Sequence, residues 1–589
     1  MAFSYFRGPE LLRNRTMEEK EMIAGTPDPK QPWTKYRPCP PVDLPDRRWP
    51  SRSITRAPRW CSVDLRDGNQ ALSQPMSIAE KLEFFRLLTA VGFEEIEVGF
   101  PAASQIEFDF TRRLIDESLV PDSVAIQVLT QAREPLIRRT CEALRGARLA
   151  ILHLYNSTSA VQRRVVFGLS RREVVNLAVV ATRLAREEAQ RLDGTDVILE
   201  YSAESFTGTE PEFALEICEA VLEAWGATAQ RPAIINLPAT VELSTPNVYA
   251  DRIEWFLRHL TRPERAVLSI HAHNDRGTAV AATELALLAG AARVEGTLFG
   301  NGERTGNVDI LTLALNLQSQ GVDPGLDFSG IDRLVEVYER CTRLPVHPRH
   351  PYAGDLVHTA FSGSHQDAIS KGLRARERER QEFWEVPYLP LDPADIGRTY
   401  EAVIRINSQS GKGGAAWVLE KEHGFALPKA MHPEFGALVQ RLSESGGGEL
   451  TAAAILGVFE REYLGRSQPF ELVRWRIEDE LAGAELRAAQ ARVLATVAID
   501  GSPREVHGSG NGPIDAFCNA LRAAALADFS LLSYHEHALG LGSGSRAVAY
   551  IQIESASGVR IFGVGIDTDI AAASFRAILG ALNRLAHAP

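Results

Sequence analysis

Ala266-Val-Leu-Ser-Ile-His-Ala-His-Asn-Asp-Arg-Gly277 is an apolar, β-branched run that leads into two histidines and then stops on polar residues. Residues i and i+2 of a strand leave the same face, so His271 and His273 project together from one strand end. Two imidazoles at that spacing suit one shared divalent metal, although many His-x-His pairs are only solvated or packed. The run belongs to a series. Trp60–Asp64, Glu95–Gly99, Ser123–Leu129, Arg148–Leu154, Asp196–Tyr201, Ala233–Asn236, Ala266–His271 and Arg293–Thr297 read as strands, separated by amphipathic stretches such as Ile78–Val91 and Arg171–Arg191. Eight strands alternating with helices over about 260 residues predict an α/β fold of the (β/α)8, or TIM, barrel type. The competing arrangement, a doubly wound open sheet, calls for a Gly-rich phosphate turn after an early strand, and none is present.

Outward from the barrel the chain changes character. Residues 1–50, rich in Pro, Arg and Lys, read as an extended arm, and 51–325 as the barrel domain. Residues 326–435 read as a linker subdomain and 436–474 as a small helical linker. Within them Lys371–Glu382 reads as a solvated helix face. Ser408–Gly414 lacks the spacing of a P-loop, and Ser443–Gly448 reads as a flexible link. The last part, 475–589, holds an internal near-repeat. Val493–Ile499 leads to Gly508-Ser-Gly-Asn-Gly-Pro-Ile-Asp515 and a helical run, and Val548–Ile553 leads to Gly563-Val-Gly-Ile-Asp-Thr-Asp569 and another. This predicts an α+β domain of two βββα-type units. Glycine turns at helix starts offer free N–H groups to an anionic ligand; a duplicated dimerisation module fits the pattern equally.

Of 589 residues, 45% are hydrophobic and 24% charged, and the formal net charge is −12. That balance fits an ordinary globular protein acting on small molecules, and argues against nucleic-acid binding. Six scattered cysteines form no CxxC pair, which predicts a reducing, cytoplasmic setting. No apolar run is long enough for a membrane span, and the N-terminus has no apolar signal core.

Barrel chemistry gathers at the C-terminal ends of strands, and polar residues stand there repeatedly. The first strand is followed by Asp64-Leu-Arg-Asp-Gly-Asn-Gln70, where Asp67 offers a hard carboxylate and Arg66 a guanidinium fork. The fourth is followed by His153-Leu-Tyr155, the fifth ends in Tyr201-Ser-Ala-Glu204 and the sixth in Asn236-Leu-Pro-Ala-Thr240. The eighth is followed by Gly300-Asn-Gly-Glu-Arg-Thr-Gly-Asn307. One such residue alone is ordinarily a cap or a solvated side chain. The recurrence after nearly every strand is what points to a site.

Leu65–Gln70, His271–Asp275 and Gly300–Asn307 together resemble the 2-isopropylmalate synthases. So do Asn236–Glu242, Ser362-Gly-Ser-His-Gln-Asp367, Val386-Pro-Tyr388 and Asn407–Gly414, which match the long form with a C-terminal leucine-sensing domain. The resemblance implies condensation of acetyl-CoA with 3-methyl-2-oxobutanoate and water, giving (2S)-2-isopropylmalate and CoA, the first committed step of leucine biosynthesis. It implies a divalent metal, Mg²⁺ or else Mn²⁺ or Zn²⁺, held by Asp67, His271 and His273 with Asn307 nearby, and K⁺ as an activator. Arg66 would support the keto oxygen, and Leu129, His153, Tyr155, Ser202 and Thr240 would line the oxo-acid pocket. Glu204, His365 and Tyr388 would share the proton transfers, the last two reaching back from the linker, in a homodimer. Leucine would bind at Gly510, Asn511, Gly512, Pro513, Ile514 and Asp515, while the second turn, Gly565–Asp567, matches loosely. Citramalate and homocitrate synthases, which use other oxo-acids, or a lyase running in reverse, are the nearest alternative. A catalytically silent barrel kept as an amino-acid sensor is the more distant one.

Overall fold

The computed structural model describes residues 32–359, 362–398, 412–446, 450–480, 490–540, 542 and 544–587. The chain forms two compact units, Met1–Phe328 with Arg333–Val346, and Ser329–Asp332 with His347–Pro589.

The first unit is a closed barrel of eight parallel strands in sequence order: β1 (Arg59–Ser62), β2 (Glu95–Gly99), β3 (Ala125–Gln131), β4 (Leu149–Ser157), β5 (Asp196–Glu204), β6 (Ala233–Asn236), β7 (Ala266–His271) and β8 (Arg293–Gly296). β8 closes onto β1 with Trp60 opposite Val294. Outer helices separate the strands, and the sequence sets their starts. Ser77 and Glu80 form a reciprocal cap on the Ile78–Val91 helix, as Ser170 and Glu173 do on Arg171–Ala189. Before β1 the arm is pinned where Trp49 Nε1 donates to Asp251 at 2.8 Å.

Period-two alternation fills the barrel in layers. Ala125, Ile151, Ile198, Ile234 and Val267 pack together as an apolar floor. Two residues further along the same strands come Gln127, His153, Glu200, Asn236 and Ser269, all buried. Two further again come Leu129, Tyr155, Ser202 and His271. Each strand thus climbs from an apolar floor through a polar middle to the mouth.

Three local expectations are corrected. β1 stops at Ser62, and Asp64–Gly68 winds into one wide helical turn. The Ser62 hydroxyl donates to Asp64 Oδ2 (2.8 Å) and Gly68 N–H returns to the Val63 carbonyl (3.1 Å), turning Arg66 and Asp67 to the mouth. β4 and β5 run three residues further than their apolar runs, because Tyr155–Ser157 and Ser202–Glu204 stay in register with each other. The stretch read as a flexible link is helical as far as Gly446, with Ser443 buried.

In the second unit the helices Gly363–Glu379, Lys412–His423, His432–Gly446 and Ala452–Phe459 precede two βββα units. The charged part of the first helix is largely exposed. Most of Ser408–Gly414 lies outside the described residues, as do residues 1–31 of the arm. The first βββα unit is β9 (Phe470–Glu480), β10 (Gln490–Ile499), β11 (Ser502–Gly510) and the helix Pro513–Ala523. The second is β12 (Phe529–Ala538), β13 (Ala547–Ser555), β14 (Arg560–Asp567) and the helix Ile570–Ala586. Both sheets are three-stranded and antiparallel, ordered β11-β10-β9 and β12-β13-β14. β13 shows why this sheet is covered on both faces. Ala549, Ile551 and Ile553 enter the core with Phe517 and Phe575, whereas Val548 and Tyr550 pack on Phe435, Phe459 and Tyr463 of the preceding helical region.

Of the glycines read as turns, Gly512 does open its helix, but Gly508, Gly510, Gly563 and Gly565 are strand residues. A Cβ on Gly508 would lie 2.4 Å from Ala520 N, and one on Gly563 would lie 2.0 Å from the Ala577 carbonyl oxygen and 2.3 Å from Ala581 N. Each helix therefore lies with its backbone directly on glycine in its last strand, which a side chain would prevent. Gly563→Ala is expected to destabilise the C-terminal unit by about 3 kcal/mol or more. A lowered denaturation midpoint by circular dichroism checks this, and an unchanged midpoint would show that the helix can lift at no cost.

Candidate active site and metal centre

A cleft of about 320 Å³ opens at the C-terminal ends of the barrel strands. Its floor carries Arg66, Asp67, His271 and His273, and its walls include Leu129, His153, Tyr155, Ser202, Glu204 and Thr240. All ten were singled out from sequence.

The cluster has the features of a cation site. Ligand atoms of Asp67, His271 and His273 all lie within 4.8 Å of one another, and the three residues are buried. Asp67 Oδ2 is 3.4 Å from His271 Nε2 and 3.7 Å from His273 Nε2. The other ring nitrogens are engaged: His271 Nδ1 with Glu295 Oε2 (2.9 Å), His273 Nδ1 with the Gly306 carbonyl (3.2 Å). Such outer contacts aim the Nε2 atoms toward Asp67. Asn307 Nδ2 donates to Asp67 Oδ2 at 2.8 Å, while its buried Oδ1 has no hydrogen-bond partner among the described residues. One carboxylate, two imidazoles and a spare carbonyl oxygen fit a divalent metal.

Burial and close neighbours set the charge of each group in the cluster. Burial would raise the Asp67 carboxyl, but Arg66 and the two histidines hold it far below the usual carboxylate range. Burial depresses His271, yet Asp67 and Glu295 outweigh it and bring its pKa up to about 9. His273, buried and beside His271, falls to about 4. His153, Glu200 and Glu295 are equally close together, but Arg293 already lies among them, 3.0 Å from Glu295 and 3.3 Å from Glu200. A guanidinium supplies the positive charge in that cluster.

Apart from His153 and Asn236, the middle layer beneath the site was not found from sequence. Arg66 Nε donates to Glu97 (2.5 Å), whose other oxygen meets His153 Nδ1 (2.7 Å). His153 Nε2 meets the Ser202 hydroxyl (2.7 Å). Asn236 Nδ2 donates to Ser202 and to Glu295, which holds His271. Glu97, Gln127, Glu200, Arg293 and Glu295 could have been recognised as charged or amide residues inside otherwise apolar strands, spaced by two from floor or mouth positions. Tyr155 receives a hydrogen bond from Gln131 (2.7 Å), and Glu204 accepts one from Ser157.

His365 and Tyr388 belong to the second unit. Their rings stack there with centroids 4.0 Å apart, and Tyr388 is exposed with φ +65°. Asn511, Gly512, Pro513, Ile514 and Asp515, with Tyr534, border a second cavity of about 550 Å³. Gly510 is the last residue of β11, where a Cβ would press within 2.5 Å of Ala516 N. Among the described residues no helix is long and apolar enough to cross a membrane.

A family model described as HMGL-like matches residues 57–337. The alpha-isopropylmalate synthase post-catalytic domain-like model matches 355–420, and the LeuA allosteric (dimerisation) domain model matches 449–586. The 2-isopropylmalate synthase of Rhodospirillum rubrum is 55% identical over 555 residues, covering 94% of this chain and 99% of its own. That of Parafrankia sp. is 56% identical over 559 residues, covering 94% and 97%, and that of Clostridium acetobutylicum 52% over 554 residues, covering 94% and 99%. With barrel, linker and C-terminal domain all matched in order, the chain belongs to the 2-isopropylmalate synthase family.

Proposed function

We propose that this chain is an acyltransferase that joins the methyl carbon of acetyl-CoA to the keto carbon of 3-methyl-2-oxobutanoate and, with water, releases 2-isopropylmalate and CoA. The observation that carries this reading is the cleft itself. In a member of this family, it gathers a carboxylate–imidazole cluster, a guanidinium and a small apolar wall within about 320 Å³. Citramalate and homocitrate synthesis are not favoured by relatives of this identity.

Asp67, His271 and His273, with Asn307, would hold the metal; Mg²⁺ is proposed, and Mn²⁺ and Zn²⁺ suit the same donors. When bound, the cation supplies a Lewis acid for the keto oxygen. Arg66 adds a donor and positive charge at the oxygen that becomes an alkoxide. Ser202 and Thr240 hydrogen-bond the oxo-acid carboxylate, and Leu129 and Tyr155 flank its isopropyl group. Glu204, His365 and Tyr388 divide between them removal of the methyl proton and activation of the hydrolytic water. K⁺ is proposed as an activator. A third cavity, of about 1300 Å³, shares Arg66, Gln70, Leu129 and Tyr155 with the cleft and is walled by Phe100, Ala103 and Ile106. Its size and apolar wall support a long acyl carrier beside the oxo-acid.

The chain would work as a cytoplasmic homodimer, with residues 326–435 reaching an active site and 475–589 sensing leucine. At the second cavity, the start of the Pro513–Ala523 helix suits a carboxylate, and Ile514 and Leu531 suit an isobutyl group.

Thiol release from acetyl-CoA is expected with 3-methyl-2-oxobutanoate and to be lost with EDTA; release only with pyruvate or 2-oxoglutarate would overturn the assignment. Glu295→Gln is expected to weaken Mn²⁺ binding about 10- to 100-fold, read by titration of the purified protein. Unchanged affinity would remove Glu295 as the support of His271. Gly512→Phe enters open space beside the second cavity, since a Cβ there meets nothing within 4 Å. Loss of leucine inhibition with the uninhibited rate retained is the predicted outcome, and full inhibition would place the effector elsewhere.

A further inference from the structure

Arg304 stands at the rim of the cleft on the loop after β8, with its backbone left-handed at φ +57°. That conformation is unfavourable for a residue with a side chain and persists only where surrounding contacts hold it. The contacts are specific. The guanidinium forks onto Asp275 of the loop after β7, Nε to Oδ1 at 2.7 Å and Nη2 to Oδ2 at 3.2 Å, and Nη2 also donates to the Thr240 carbonyl after β6. Asp275 Oδ2 in turn accepts the Glu242 N–H at 3.0 Å. The same loop reaches the metal cluster. Gly306 offers its carbonyl to Asn274 N (3.0 Å) and His273 Nδ1 (3.2 Å), and Asn307 donates to Asp67 (2.8 Å).

We propose that Arg304 is a positioning residue that closes a ring across the β6, β7 and β8 loops. It sets the separation between the metal-holding His273 and Asp67 and the Thr240 that receives the oxo-acid carboxylate. The inference rests on the reading of the cleft given above. A 2-oxo acid presents its keto and carboxylate oxygens at one fixed spacing, so the protein groups on either side must be held at a matching one. Only a planar fork serves two carboxylate oxygens and a carbonyl together; an ammonium carries the charge without that geometry. Asp275 compensates the charge of Arg304, which makes the fork and not the net charge the operative feature.

Three variants test this: Arg304→Lys, Arg304→Gly and Asp275→Asn. Glycine accepts the left-handed backbone freely, so Arg304→Gly removes the fork without straining the loop, and its thermal midpoint should match the parent. In each variant the KM for the oxo-acid should rise about tenfold while the KM for acetyl-CoA stays within about twofold, and Mn²⁺ should bind the protein alone about tenfold more weakly. The double variant Arg304→Gly/Asp275→Asn should be no worse than either single one, because the two residues act as one unit. Arg304→Lys with parental oxo-acid KM would show that charge suffices and would overturn the clamp. So would Arg304→Gly with parental Mn²⁺ affinity. The Mn²⁺ titration needs no turnover, so its result stands even if the proposed reaction fails.

Discussion

Charge buried inside the barrel is the constraint on which the rest of the structure depends. Arg293 is fully buried and reaches Glu95, Gln127 and Glu295 as hydrogen-bond partners, with Glu200 at 3.3 Å. Arg66, nearly as enclosed, is paired with Glu97 and Asp67. Removing one member of such a set leaves a charge in a low-dielectric interior and costs about 3–5 kcal/mol. The carboxylates divide accordingly. Burial raises both Glu200 and Glu295, but Arg293 and His271 hold Glu295 well below the usual range. Glu200, facing Glu295 and Glu97 with only part of Arg293, is pushed well above it. The same bonds that make this interior tolerable aim the groups above it. Glu97 turns Arg66 and His153, Glu295 turns His271, and Asn236 ties Glu295 to Ser202. Stability of the barrel and orientation at its mouth are therefore one requirement.

The C-terminal unit solves a different problem, that of bringing a helix onto a sheet within backbone contact. Gly508 and Gly510 in one repeat, and Gly563 and Gly565 in the other, leave no room for a Cβ beneath their helices. The close approach lets Phe517 and Phe575 stack across the two helices at 4.3 Å. The repeats share this design but not their helix starts. Pro513 and Gly512 open the first helix, and Asp515 turns back to the Asn511 N–H at 3.1 Å. The second start is acidic, with Asp569 capping its own helix and Asp567 paired with Arg576 at 3.0 Å. An anionic ligand meets two carboxylates there, so equal architecture does not give equal sites.

Much of this was legible in the chain. β2, β6 and β7 coincide with their apolar runs because turn residues bound each run, and Ile78–Val91 ends on a glycine as its pattern demands. The mouth residues were legible because polar side chains after strand upon strand have no other common explanation. Two kinds of feature were not. Glu97, Glu200 and Glu295 sit inside strands, where a search for strand-end chemistry does not look, and only the network explains them. The strand glycines carry the same letters as turn glycines; what separates them is a helix that folds back from further along the chain. The Asp64–Gly68 turn escaped for a related reason, since its winding depends on a hydroxyl two residues upstream.

In the proposed reaction, selectivity for one oxo-acid rests only in part on how firmly the small apolar wall is held. Leu129 rises from β3 and Tyr155 from β4, both on the barrel's own period, and Gln131 fixes the Tyr155 hydroxyl at 2.7 Å. A wall set on strands does not yield to a larger substrate as a loop would. A difference of one methylene in such a pocket is nevertheless worth only about 1–3 kcal/mol. Discrimination beyond that has to come from the polar end, where Thr240 and Ser202 are fixed by backbone and network contacts and not by packing. The Ser205 N–H donates to the Thr240 hydroxyl at 2.8 Å, which leaves that hydroxyl's own proton free for a carboxylate. On the proposed reading, an acid whose carboxylate cannot reach that point while its keto oxygen faces Arg66 loses both interactions at once, and this joint requirement separates substrates more sharply than the apolar wall.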